Sequence, residues 1–332
     1  ITAEQARDRG GFQVLPEQRY GLEPADKFAD AINAKVADSG DGYFKIFTET
    51  PAAVEFTLTT ALEAVKAEKL GARGRTDLLM VSLSSNDYVG HRYGPNSWEV
   101  LDYTLRTDRA LASFFANLGQ LVPGGLSACT VALTADHGVA GAPEQLAAMG
   151  LPARAISGGD IVTAAQNAVS ARFARDGLVK VYREPYLYLD RGAISAAGLD
   201  RQAVQDVAAQ GIMTLAGVST AWSVDRIWHG GVPDTEVTQR LARAIHPAVG
   251  GDVIVVLDPG SMVGDKSATT HGQPYVYDST VPVMMAGRGV QPGIDYASVC
   301  PFDISATFAA LANILPPSCC EGQVLPCTIR GR

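Results

Sequence analysis

Three short stretches of this sequence place carboxylates and imidazoles where they could share a metal ion. In the first, Asp87 and His91 stand four apart around Gly90, with Gly94 and Pro95 following. In the second, Asp136 and His137 are adjacent and precede Gly138. In the third, His271 lies between Thr270 and Gly272, with Pro274, Tyr275 and Asp278 close behind. Each alone has an ordinary reading, since Asp and His fall together by chance and a single His is commonly a satisfied or solvated group. Adjacent side chains also diverge in a regular strand, so Asp136 and His137 reach one ion only if the chain turns there, which Gly138 permits. Together the three stretches form a donor set. Zinc accepts imidazole nitrogen and carboxylate oxygen, and a catalytic zinc keeps one position open for water or substrate. Two such ions, roughly 4 Å apart, stabilise the attacking and the leaving oxygen of an in-line displacement at phosphorus. His229 and His246, beside Trp228 and Pro247, read as structural or surface groups.

The elements around these stretches must deliver them to one place. Thr76–Leu83 reads as a buried strand running into the first stretch, and Thr130–Thr134 as another ending in the second. Open α/β sheets place their sites at the C-terminal ends of strands. Helical spacing of apolar residues predicts helices over Pro24–Asp38, Thr50–Leu70 and Ser97–Leu118. From about Gly159 to Gly250 the texture changes. Short strands over Leu178–Glu184 and Tyr186–Leu189, and helices from Asp200 and over Thr235–Ile245, suggest an inserted α/β subdomain. Strands over Asp252–Asp258 and Val281–Ala286 then resume the main sheet, and a last helix covers Asp303–Asn313. The expected organisation is a catalytic core over residues 1–158, a cap subdomain over 159–250, and a continued core over 251–332. The expected fold class is α/β, with helices covering both faces of the sheet.

Composition narrows the function. Hydrophobic residues make up 47% of 332 positions and charged residues 19%, which suits a globular chain and not a disordered one. A net charge of −8 argues against a nucleic-acid binder, so an anionic substrate would need a local cation to hold it. No stretch approaches the ~20 apolar residues of a membrane-spanning helix. The start at Ile1-Thr2-Ala3, without Met, reads as a cut, so a leader segment is neither visible nor excluded. Cys300, Cys319, Cys320 and Cys327 lack the C-x-x-C spacing and nearby His of a zinc knuckle, and suggest a disulfide-stapled tail in an exported protein. Cys129 reads as a core residue.

Ser82-Leu83-Ser84-Ser85-Asn86-Asp87-Tyr88-Val89-Gly90-His91, Thr134-Ala135-Asp136-His137-Gly138 and His271-Gly272-Gln273-Pro274-Tyr275-Val276-Tyr277-Asp278 resemble three ordered metal-binding motifs of the alkaline phosphatase superfamily. The group resembled most is that of type I phosphodiesterases and nucleotide pyrophosphatases, in particular its single-chain bacterial alkaline phosphatases. The resemblance implies a mostly parallel sheet between helices. It implies two zinc ions, one held by Asp87, His91 and His271 and the other by Asp136 and His137. It also implies a further aspartate and a Thr or Ser nucleophile on an N-terminal strand and helix start, and no segment before Asp87 matches that pattern. The sequence therefore reads as a C-terminal portion with no catalytic nucleophile of its own. The implied reaction is hydrolysis of small phosphate monoesters through a phospho-enzyme, in the periplasm or outside the cell. A diesterase or nucleotide pyrophosphatase, and a metal-binding remnant without catalysis, stay open beside it. The stretch Ser84-Ser85-Asn86 resembles the monoesterases.

Overall fold

The structure is a computed structural model that describes residues 47–246, 249–264 and 269–325. The helix expected over Pro24–Asp38 lies outside these residues. Along the chain come α1 (Pro51–Ala67), α2 (Ser85–Tyr93), α3 (Trp98–Leu121) and β1 (Thr130–Leu133). Next are α4 (Pro143–Ala148), β2 (Ala155–Ile156), α5 (Gly158–Phe173), β3 (Val179–Arg183), β4 (Tyr186–Leu189), α6 (Arg191–Ala196) and α7 (Arg201–Ile212). They are followed by β5 (Val218–Ser223), α8 (Val224–Trp228), α9 (Glu236–Ala244), β6 (Val253–Leu257), β7 (Met262–Val263), α10 (Val276–Ser279), β8 (Met284–Gly287) and α11 (Asp303–Ala312). The protein is thus a mixed α/β chain. It divides into two compact units.

The first unit holds His91–Pro95 and His137–Thr280 among the described residues. Its centre is a four-stranded sheet of order β3-β4-β6-β5, antiparallel throughout. The turn from Arg183 to Tyr186 is too short for a crossover, so β3 and β4 can pair only antiparallel. Every residue of β6 is buried, as a continuous Val-Ile-Val-Val-Leu run suggests. Val253, Val255 and Leu257 join one apolar cluster with Ile161, Val204 and Ile212. Ile254 and Val256 join another with Val224, Ile227 and Leu241. Helix α7 starts at Asp200, whose carboxylate accepts the Ala203 N–H as an N-cap. It buries Val204, Ala208 and Ile212, spaced four apart, against α5, which presents Ile161, Ala165 and Val169 at the same spacing. Gly211 makes that approach possible, because a Cβ there would come within 2.6 Å of the Ala164 carbonyl oxygen.

The second unit holds the described parts of Pro16–Gly90, Asn96–Asp136 and Val281–Arg332. Helix α1 buries Val54, Leu58, Ala61 and Val65 along one face, and α1 packs on α3. Ser97 caps α3 by accepting the Val100 N–H. Strand β1 pairs with β8 antiparallel, Thr130 opposite Gly287 and Leu133 opposite Met284. Helix α11 ties down the chain that follows it. The Asp303 carboxylate accepts the Cys300 and Gln323 amides, and the Thr307 hydroxyl accepts the Leu325 amide.

Several expectations are corrected here. Thr76–Leu83 is irregular, with Leu78 and Met80 exposed, because no described strand lies alongside to complete a ladder. The strand expected over Asp252–Asp258 forms, and it pairs with β4 and β5, whose residues fall within the expected insertion. Among the described residues the pairings are antiparallel except β2 with β7. Asp87 and His91 lie on a helix that runs through Gly90. Cys300, Cys319 and Cys320 are free thiols, Cys327 lies outside the described residues, and Cys129 is only half-buried.

Candidate metal centre

Three imidazoles from distant parts of the sequence meet in the first unit. The rings of His137 and His271 stack at 3.3 Å between centroids and 14° between planes. The rings of His91 and His271 stand 5.1 Å apart. Ligating nitrogens of His137 and His271 come within 4.8 Å of one another. All three side chains are half-buried, which leaves them open to a small ligand.

The ring nitrogens have distinct surroundings. His91 Nδ1 lies 2.7 Å from the Thr269 carbonyl oxygen, and His137 Nδ1 lies 3.0 Å from the Gly138 carbonyl oxygen. A carbonyl only accepts, so each Nδ1 is the protonated donor. Each Nε2 then presents its lone pair, and this is how second-shell carbonyls orient ligating imidazoles. The donor set fits a borderline cation such as zinc.

Asp87 stands one turn before His91 on α2, so the helix presents the two on the same face. Asp136 is exposed and directly precedes His137, three residues past the end of β1. That strand is half-buried, and not buried as its apolar run suggests.

The loop that carries His271 is fastened to the sheet of its own unit. Gln273 accepts the Leu257 N–H with its Oε1 and donates from Nε2 to Glu184. The Tyr275 hydroxyl donates to the Leu257 carbonyl at 2.7 Å, and the Tyr277 hydroxyl accepts the Gly260 N–H at 3.0 Å. Arg240 donates to the Pro274 carbonyl at 2.7 Å. Thr269 donates its hydroxyl to the Ala140 carbonyl at 2.5 Å, which ties the start of this loop to the His137 segment. Gly272 turns the chain just after His271 with a φ of 113°, a conformation that suits glycine. The Gly138 position is equally restrictive, since a Cβ there would lie 2.0 Å from the Tyr277 carbonyl oxygen. Gly138 therefore serves a close backbone approach.

A small cavity beside His271 is lined by Glu184, Gln273, Tyr277 and Asp278, among others. Burial pushes the Asp278 carboxyl up to about 6, opposed by the Gln273 and Gly272 amides and by nearby His137. Burial also raises the Glu184 carboxyl, opposed by its hydrogen bond to Gln273 and reinforced by the charge of Asp278. Tyr277, likewise buried, is pushed up to about 12. Sequence reasoning named Asp278 only as a neighbour of His271 and passed over Thr269, because the contributions of both depend on contacts between distant segments.

Three imidazoles able to share a cation on an α/β chain are the frame for the comparisons with known proteins. The chain matches the type I phosphodiesterase / nucleotide pyrophosphatase family over residues 17–279 and belongs to that family, within the alkaline phosphatase superfamily. It is 31% identical over 285 residues to alkaline phosphatase PhoV of Synechococcus elongatus, an alignment covering 85% of this chain and 50% of the relative. It is 31% identical over 279 residues to alkaline phosphatase PafA of Elizabethkingia meningoseptica, covering 82% and 50%. The crystal structure of wild-type PafA matches with a TM-score of 0.79 at 30% identity, covering 86% of this chain and 54% of that one. The chain spans about half the length of the curated relatives it matches.

Proposed function

We propose that this chain carries the metal-binding part of a zinc-dependent phosphate monoester hydrolase that works through a phospho-enzyme. Asp87, His91 and His271 are assigned to one ion, and Asp136 and His137 to a second. The observation that carries this reading is the meeting of His91, His137 and His271 at ring separations of 5.1 and 3.3 Å. Bound there, zinc supplies a Lewis acid that polarises phosphoryl oxygen and lowers the pKa of a bound hydroxyl. The chain's own part is to aim the imidazoles. Thr269 and the Gly138 carbonyl fix the tautomers of His91 and His137, and the Gln273, Tyr275 and Tyr277 contacts hold the His271 loop against the sheet. The nucleophilic hydroxyl and the remaining carboxylate ligand are not assigned to any residue here, because no segment before Asp87 matches the pattern that the resemblance implies. A location outside the cytoplasm belongs to the same proposal.

The names of the relatives favour a monoester substrate. The family description, which includes phosphodiesterases, keeps the diester as the second reading. Metal content after dialysis and hydrolysis of p-nitrophenyl phosphate beside bis-p-nitrophenyl phosphate test the proposal. The expected result is retained zinc, lost in His271→Ala, with slow turnover that favours the monoester. A chain that retains no zinc would overturn the metal centre. Faster cleavage of the diester would overturn the monoester reading. Fast zinc-dependent turnover by this chain alone would place the nucleophile inside it.

A further inference from the structure

His137 and His271 come from segments that are 134 positions apart, yet their rings stack. One residue contacts the chain immediately after each of them. The Asp278 Oδ2 atom accepts the Gly272 N–H at 3.0 Å and the Gln273 N–H at 2.9 Å, the two amides that follow His271. The Asp278 carbonyl accepts the Gly138 N–H at 2.7 Å, the amide that follows His137. Asp278 lies on α10, and its own amide donates to the Tyr275 carbonyl at 3.1 Å. The flanking tyrosines fasten this short helix to the end of β6, through Leu257 and Gly260. Asp278 is 4% exposed, so water offers its partners little substitute for these bonds.

We infer that Asp278 is a positioning residue that sets the two histidine loops against each other, its side chain holding the His271 loop and its main chain the His137 loop. This rests on the metal-centre reading above for its consequence, though not for its geometry. Two parallel charge-assisted bonds from adjacent amides to one carboxylate oxygen fix the peptide planes after His271, and so the direction in which its ring leaves the chain. The link to Gly138 needs only a backbone carbonyl, so a side-chain substitution severs one loop and spares the other. The role also accounts for burying a carboxylate whose Oδ1 has no hydrogen-bond partner among the described residues. Oδ2 is needed for the loop and brings Oδ1 with it.

The test uses Asp278→Ala, Asp278→Asn and Asp278→Glu in the full chain, with His271→Ala as the reference. Zinc affinity by chelator competition is read beside the visible spectrum of the cobalt-substituted protein and amide exchange at Gly272 and Gln273 in the metal-free protein. Loss of an orienting partner of this type weakens metal binding by about 10–100-fold. That loss is expected for Asp278→Ala, with a changed cobalt spectrum and faster exchange at the two amides. Asp278→Asn keeps an acceptor oxygen and is expected to stay within a few-fold of the parent. Should the Ala variant fail to fold, Asp278→Glu displaces the oxygen by one methylene, and the same loss is expected there. Unchanged exchange at Gly272 and Gln273 in the folded Ala or Glu variant would overturn the inference. So would unchanged zinc affinity in that variant while His271→Ala loses zinc. If His271→Ala also binds zinc normally, the metal-centre reading fails, and the exchange data still decide the role of Asp278.

Discussion

A single methyl group at position 138 meets a fixed obstacle. The Cβ of Gly138→Ala would lie 2.0 Å from the Tyr277 carbonyl oxygen, and that is backbone and not the tip of a side chain that could swing away. Overpacking of this kind costs about 1–3 kcal/mol, and the shift needed would also stretch the Gly138–Asp278 hydrogen bond. Gly138→Ala is therefore expected to lower the unfolding free energy by that amount, read in urea denaturation, and to weaken zinc binding together with it. A variant as stable as the parent would show that the two loops approach less closely than the structure has them. Glu99 offers a pH-dependent case. It sits in the first turn of α3, where the helix dipole favours a negative charge. Burial nevertheless raises its carboxyl above the ordinary value, opposed by its own backbone amide, and no other described residue hydrogen-bonds to either oxygen. A carboxyl raised in the folded state costs nothing at pH values where both states are protonated. It destabilises progressively as pH rises through the unfolded-state pKa, because the unfolded chain gives up its proton first. Glu99→Gln should therefore melt with the parent near pH 3 and above it at pH 7. A difference that does not vary with pH would remove Glu99 as its source.

Elements were legible where their own residues settle them, and not where a partner decides. The boundaries of α3, α7 and α9 follow from Ser97, Asp200 and Thr235, each accepting an amide of the first turn, so the sequence reading falls within a few residues of the observed helices. The Val253–Leu257 strand was legible from its unbroken apolar run, but its neighbours were not. An apolar run says that both faces are buried and is silent on which strands do the burying. Thr76–Leu83 carries a similar run and forms no strand, because strand formation requires a ladder that its own side chains cannot supply. The histidines of the candidate site were legible by type and spacing. Their supports were not, since Thr269 acts through its carbonyl and Asp278 through a carboxylate and a carbonyl that meet amides of two distant segments, which spacing alone does not reveal. The same limit hides Asp252, which is 1% exposed and gathers three donors: the Leu189 N–H at 2.9 Å, Arg191 Nε at 2.9 Å and Gln205 Nε2 at 3.4 Å. It joins β6 to β4 and to the start of α6. Asp252→Ala leaves the buried Leu189 amide without its acceptor, and each such group costs about 1–3 kcal/mol. Denaturant unfolding is expected to show a loss of at least that size, most of it recovered by Asp252→Asn, which keeps an acceptor. Equal losses for the two variants would mean that the charge, and not the hydrogen bond, holds the three elements together.

For the molecule as a whole, the informative feature is apolar surface on the second unit. Met80 is 86% exposed, Leu78 67% and Met284 52%, and Ile294, Tyr296 and Leu315 are more than four-fifths exposed. Scattered exposed apolar residues are ordinary, but Met284 lies on β8, and Leu78 and Met80 lie in a stretch with no strand partner among the described residues. Among the described residues β1 and β8 pair only with each other, so each offers one row of backbone donors and acceptors to another strand. The Thr76–Leu83 run is rich in apolar residues, carries one acidic residue and no proline, and has no place in that sheet. An open, apolar edge of this kind is a template for pairing with another chain. The net charge of −8 opposes association over long range, but salt screens it beyond about 8 Å at physiological ionic strength, leaving the contact itself to decide. We therefore expect this 34.9 kDa chain to elute as a mixture of species larger than a monomer, shifting upward with protein concentration and with added salt. Leu78→Lys and Met80→Lys together should move the population back to monomer without lowering zinc affinity, because neither side chain belongs to the proposed centre. A sharp monomer peak at every concentration and salt level would count against the open edge, and the second unit would then have to satisfy its strands within the chain.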